Sequence, residues 1–114
     1  MKALDSIVYF VSDIKGAKDW FQIILSTTPF QDDEQFVGFR IGTFEICLHL
    51  SDEKSPDSIG NQVCYWEVNS VEEMKNHMLK NGATLYRAPL DIGEDGIICQ
   101  ILTPFGCLIG LREK

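Results

Sequence analysis

The chain has 114 residues, 45% hydrophobic and 24% charged, which suits one domain with a buried core and leaves no room for a second. A net charge of −7 excludes the basic face that a nucleic acid or an anionic membrane surface requires. No run is long and apolar enough to cross a bilayer, and residues 1–6 lead straight into a strand rather than a leader, so the cytoplasm is the expected compartment.

Residues 4–11 alternate and are rich in Ile, Val, Tyr and Phe, which predicts a strand. Asp13 is placed to cap a helix over 14–25, where Ala17, Trp20, Phe21, Ile24 and Leu25 recur at helical spacing. Thr27-Thr28-Pro29 ends it. Short strands fit 28–32, 36–41 and 44–50, with the solvated acidic run Asp32-Asp33-Glu34 and the pair Gly42-Thr43 as turns. The polar stretch 51–60, with Pro56 and Gly60, reads as a linker. A strand over 62–69 follows. Ser70 and Glu73 form a capping box for a helix over 71–81, with Val71, Met74 and Met78 inward and Gly82 at its C-terminal end. Strands at 84–88, 97–102 and 107–112 close the chain, the last two joined by Thr103-Pro104-Phe105-Gly106. The loop 89–96 fits either a mobile flap or an ordinary hairpin connection.

The pattern of residues 6–14 returns at 63–71, so residues 1–50 and 61–114 read as two βαβββ modules of one α+β domain. Two such modules are expected to form a curved mixed sheet around a cleft suited to a small molecule. Period-two alternation puts Ser6, Val8 and Phe10 on the cleft face and Ile7, Tyr9 and Val11 under the helices. Val63, Tyr65 and Glu67 take the cleft face in the second half. So do Glu45, Cys47 and His49 in the first half, and Leu108, Gly110 and Arg112 in the second. This lining suits an apolar or aromatic ligand, with Glu45, Glu67, His49 and Arg112 as its polar groups.

Structural roles compete with functional ones at several of these positions. Glu67 and Arg112 can simply pair at the sheet rim, and His49 can end its strand in solvent. A His–Glu pair within reach would instead supply an acid and a base, which makes Glu45, His49 and Glu67 the catalytic candidates. Cys47, Cys64, Cys99 and Cys107 form no Cys-x-x-Cys pair and read as small buried hydrophobes. Trp20, Phe21 and Trp66 read as core.

The stretch Asp13–Phe21 followed by Leu25 is similar to an Asp-Leu-x-x-Ala-x-x-Phe-Tyr helix, and Gly96–Leu111, with Thr-Pro-Phe-Gly, resembles an Asp-Pro-x-Gly-Asn hairpin. Both motifs, in this order and duplicated, resemble the vicinal oxygen chelate superfamily of glyoxalases, bleomycin-resistance proteins, extradiol dioxygenases and fosfomycin-resistance enzymes. The resemblance implies a homodimer, and a metal held by one ligand from each of four strands. By resemblance those ligand positions fall on Ser6, Glu45, Val63 and Gly110, of which only Glu45 carries a metal-binding side chain of the family's kind. A slip of one residue would substitute Gln62 for Val63, but the alternation of Cys64, Trp66 and Val68 opposes it.

The expectation is therefore a protein without bound metal or cofactor that binds a small organic molecule. The alternative is an enzyme of the same superfamily, lyase, isomerase or dioxygenase-like. Its metal site would be rebuilt from Glu45, His49 and Gln62, or its chemistry would be acid–base. A dimer with a vestigial cavity is the third reading.

Overall fold

The computed structural model describes residues 5–53 and 63–114, so residues 54–60 of the expected linker, and Gln62, lie outside the described residues. The chain divides into two compact units, Met1–Ser58 and Ile59–Lys114, with the boundary inside the expected linker. In the first unit, β1 (Ser6–Val11) leads through α1 (Ile14–Leu25) to β2 (Gln31–Asp32), β3 (Phe36–Ile41) and β4 (Phe44–Leu50). The second repeats the order with β5 (Cys64–Glu67), α2 (Val71–Lys80), β6 (Thr84–Asp91), β7 (Ile97–Leu102) and β8 (Leu108–Glu113). The strand orders are β1-β4-β3-β2 and β5-β8-β7-β6, which is one topology twice. In each sheet the first and last strands pair in parallel and the others antiparallel.

The helix ends follow local chemistry. An Asp13 carboxylate oxygen accepts a hydrogen bond from the Gly16 amide at 2.9 Å, and Ser70 Oγ accepts one from the Glu73 amide at 3.1 Å. The α2 start has a second cap that no local pattern announces. The Val71 amide donates to Glu113 Oε1 of β8 at 2.8 Å, across 42 residues of chain. At the other end Gly82 has φ +94°, a conformation that a side chain would strain.

In the first unit α1 lays Ala17, Trp20, Phe21 and Ile24 on the sheet face made by Val11, Val37, Phe39, Ile46 and Leu48, all buried. Phe21 centres this core, its ring 5.9 Å from Tyr9 and 6.5 Å from Phe39. In the second unit Val71 and Met78 cover Cys99, Ile101, Ile109 and Leu111. Each helix thus closes one sheet face and leaves the opposite face to other use. All four cysteines are free thiols; Cys47, Cys99 and Cys107 are buried and Cys64 is half-buried.

The structure departs from expectation at the irregular segments. β2 has only Gln31 and Asp32, and β5 is shorter than 62–69, because pairing partners rather than local propensity set strand ends. β6 instead runs on to Asp91, past Pro89, which an edge strand with register shifts tolerates. Residues 92–96 connect β6 to β7 in a bonded turn. Asp91 Oδ1 accepts from the Gly93 amide at 2.9 Å, and the Ile92 amide donates to the Gly96 carbonyl at 2.8 Å.

Candidate functional site

On the first unit's open face, strand register sorts side chains into three rows. Ser6, Glu45 and Arg40 form one row; Val8, Cys47 and Gly38 the next; Phe10, His49 and Phe36 the third. Arg40 binds Glu45 Oε2 at 3.1 Å and lays its guanidinium 4.2 Å from the Phe30 ring centroid. Phe30 in turn covers Gly38, where a Cβ would come within 2.8 Å of two ring atoms. Burial, with help from the charges of Glu45 and Asp5, pushes the Cys47 thiol up and keeps it protonated.

His49 is not the solvent end of a strand. Its ring lies 5.4 Å from that of Phe10 and 6.3 Å from that of Phe36. Its Nδ1 is 2.7 Å from the Leu50 carbonyl oxygen, which only accepts, so Nδ1 donates. Glu45 and His49 share a face but are separated by about 13 Å of strand, at about 3.3 Å per residue. They form no acid–base pair.

On the second unit's open face, Tyr65, Gly110, Gln100 and Arg87 form one row, and Glu67, Arg112, Ile98 and Leu90 the next. The Tyr65 ring lies against Gly110: a Cβ there would meet Cδ1 at 2.6 Å and Cγ at 2.8 Å. Gln100 Nε2 donates to the Tyr65 hydroxyl at 2.8 Å. Two hollows flank this ring and share Tyr65 and Ile98. One, of about 420 Å³, is lined also by Tyr86, Arg87, Ala88, Pro89, Leu90, Cys99 and Gln100. The other, of about 350 Å³, adds Ile92, Asp95 and Arg112. A third, of about 470 Å³, lies by the start of α2 among Glu67, Val68, Asn69, Ser70, Glu73, Met74 and His77.

The expected rim pair of Glu67 and Arg112 does not form, although the two are register partners. Arg112 Nε donates to the Asp95 carbonyl at 2.9 Å and a terminal nitrogen lies 3.4 Å from Asp95 Oδ1, while Glu67 lies 3.5 Å from Lys114 Nζ. The 3-10 turn Gly93–Asp95 brings Asp95 back onto β8, which nothing in the strand alternation signals. Phe30, Arg87, Ile98 and Gln100 were likewise not singled out by sequence. The alternation of β7 and the Phe-x-x-x-x-x-x-x-Gly spacing from Phe30 to Gly38 held a signal only for a reader who knew the pairing.

Register also revises the comparison between the halves. Ser6 precedes the cap Asp13 by seven residues and Val63 precedes the cap Ser70 by seven, so these correspond; by the same count Val8 corresponds to Tyr65. Val8 faces Cys47 and Tyr65 faces Gly110, so the symmetric counterpart of Gly110 is Cys47, not Glu45. The quartet related by this symmetry is Ser6, Cys47, Val63 and Gly110. Its only side-chain donors are a hydroxyl and a thiol, fewer than the three or more protein ligands a divalent transition metal takes. No group of three or more His, Cys, Asp or Glu side chains converges among the described residues.

A repeated βαβββ unit with one sheet face closed by a helix and the other open defines the class of protein. The family model of the Glyoxalase/Bleomycin resistance protein/Dioxygenase superfamily matches residues 3–111, and the chain belongs to that superfamily. It is similar in fold to a glyoxalase-related enzyme from Fulvimarina pelagi, with TM-score 0.85, 11% identity, and coverage of 100% of this chain and 89% of that one. It is also similar to TnmS3, an antibiotic binding protein from Streptomyces sp. CB03234, with TM-score 0.77, 16% identity, and coverage of 99% and 96%. A third likeness is to lactoylglutathione lyase from Agrobacterium tumefaciens, with TM-score 0.76, 14% identity, and coverage of 99% and 94%. At these identities the likeness is one of fold. No curated protein matches the chain. No helix among the described residues is long and apolar enough to cross a membrane.

Proposed function

We propose that this chain is a binding protein that holds a small, largely apolar or aromatic molecule without a resident metal or cofactor. The observation that carries the reading is the Tyr65 ring lying on Gly110. At the position where the resemblance puts a carboxylate ligand, this protein has an aromatic surface with hollows on either side. Stacking and apolar contact replace coordination there. On the second unit's open face Tyr65 serves as the wall, with Val63 and Leu108 as further lining; on the first unit's open face Phe10 is the wall, with Ser6, Val8 and Cys47 beside it. Arg112 already holds Asp95 and Glu45 already holds Arg40, so a polar end of the ligand competes with an ion pair at either group. An antibiotic binding protein among the structural neighbours supports a binding role for this fold. The protein acts as a cytoplasmic homodimer in this reading.

The test is a thermal-shift screen of small aromatic molecules together with elemental analysis of protein purified without chelators. A ligand that binds only the native state raises the melting temperature by mass action, and Tyr65→Ala reduces that rise. Near-stoichiometric zinc, nickel, iron or manganese would overturn the reading.

A further inference from the structure

The hollow of about 420 Å³ beside Tyr65 differs in charge from the rest of the chain. The protein carries 17 acidic against 10 basic residues, yet no Asp or Glu lines this hollow, and its one charged group is Arg87. Among the described residues Lys18, Arg40, Lys75, Arg112 and Lys114 are each held in an ion pair and Lys15, Lys80 and Arg87 are not, and of these three only Arg87 lines this hollow. Arg87 is the register partner of Gln100. Gln100 spends one amide proton on the Tyr65 hydroxyl, at 2.8 Å, which leaves its second amide proton and the phenolic proton as donors. A guanidinium fork, an amide N–H and a phenol O–H thus belong to one hollow whose other walls are Tyr86, Leu90 and Ile98.

The geometry points to an aromatic carboxylate as the ligand of this hollow, its ring against Tyr65 and Tyr86 and its carboxylate on Arg87. The inference rests on the binding reading above and narrows it to a chemical class. A carboxylate matches the planar fork with two parallel bonds, and such charge-assisted bonds are roughly twice as strong as neutral ones. A cationic ligand meets no countercharge in the hollow. A neutral amide of the same shape keeps the apolar contact and loses the charge. The volume admits a two-ring acid.

The experiment is calorimetric titration of the full chain with 2-naphthoate, its neutral isostere 2-naphthamide and the cation 2-naphthamidine. The expected order is naphthoate first, by about tenfold or more over the amide, as a hydrogen bond to a charged group implies. Arg87→Gln removes that preference, Arg87→Lys keeps part of it, and Lys15→Gln, the same charge change on α1, leaves it intact. Equal or tighter binding of the amide or the amidine, or a preference that survives Arg87→Gln, overturns the inference while leaving the binding reading standing. If none of the three binds the unaltered chain, the inference fails as well, and the neutral members of the thermal-shift screen then decide the broader reading separately. The three-ligand comparison on the unaltered chain stands even if a variant folds poorly.

Discussion

Gly110→Ala tests the central contact, and its size can be worked from the geometry. The new Cβ would lie 2.8 Å from Tyr65 Cγ. Rotation about χ2 leaves Cγ in place, so a tilt of the ring gives no relief, and the side chain must change χ1 and leave the sheet. Leaving breaks the bond to Gln100, worth about 0.5–1.5 kcal/mol net and nearer the lower figure at an exposed site. It also uncovers the buried part of a ring that is 43% exposed in place, which at 25 cal/mol per Å² over a few tens of Å² adds roughly 1 kcal/mol. Against this, alanine in a strand gains about 0.5–1 kcal/mol over glycine. The net expectation is a loss of about 1 kcal/mol, or roughly 4 °C in Tm for a domain of this size. In a Tyr65→Ala background the clash is gone and the same substitution stabilises by about 0.5 kcal/mol. Urea denaturation of the four proteins gives the coupling energy, expected near 1.5 kcal/mol in order of magnitude. Coupling within about 0.3 kcal/mol of zero would refute the contact of the ring with Gly110. Gly38→Ala is the internal comparison, since its Cβ would meet the far ring atoms Cε1 and Cζ of Phe30, which a small tilt moves away.

Gly96→Ala is expected to destabilise by about 2 kcal/mol or more, because φ is +95° and a Cβ would run into the Glu113 carbonyl; a chemical melt within 0.5 kcal/mol of the unaltered protein would contradict this. Glu113→Ala removes the tertiary cap of α2 and should cost about 1 kcal/mol, with faster amide exchange at Val71. Burial raises the Cys47 and Cys99 thiols above their ordinary value of 9.0. The unfolded thiols therefore ionise first, the folded state holds more protons, and stability falls as pH rises from about 9 toward the folded values. Denaturation between pH 8 and 10 measures that slope, which should shrink in Cys47→Ala. Sedimentation at tens of micromolar, about the range where weak interfaces still assemble, should give a dimer. A monomer there would count against the assembly.

Local chemistry determined a good deal of this protein from sequence alone. Asp13 and Ser70 announce both helix starts because a cap bonds an amide three residues on, and the face of every long strand follows from alternation about Val8, Phe10, Cys47 and Tyr65. The doubling of the unit is legible for the same reason, since each copy carries its own caps and turns. What only tertiary structure decided is which residues meet across strands. Sequence pairs Glu67 with Arg112 by register, yet the turn at Gly93–Asp95 takes Arg112 and the chain end takes Glu67. Sequence also matches Glu45 to Gly110, whereas register matches Cys47. The contact of Tyr65 with Gly110, and the hollow that Arg87 lines, join residues up to 45 positions apart. Pairing is non-local: the pattern of one strand fixes its faces, but its neighbours' loops and lengths set the register that brings a side chain to its partner.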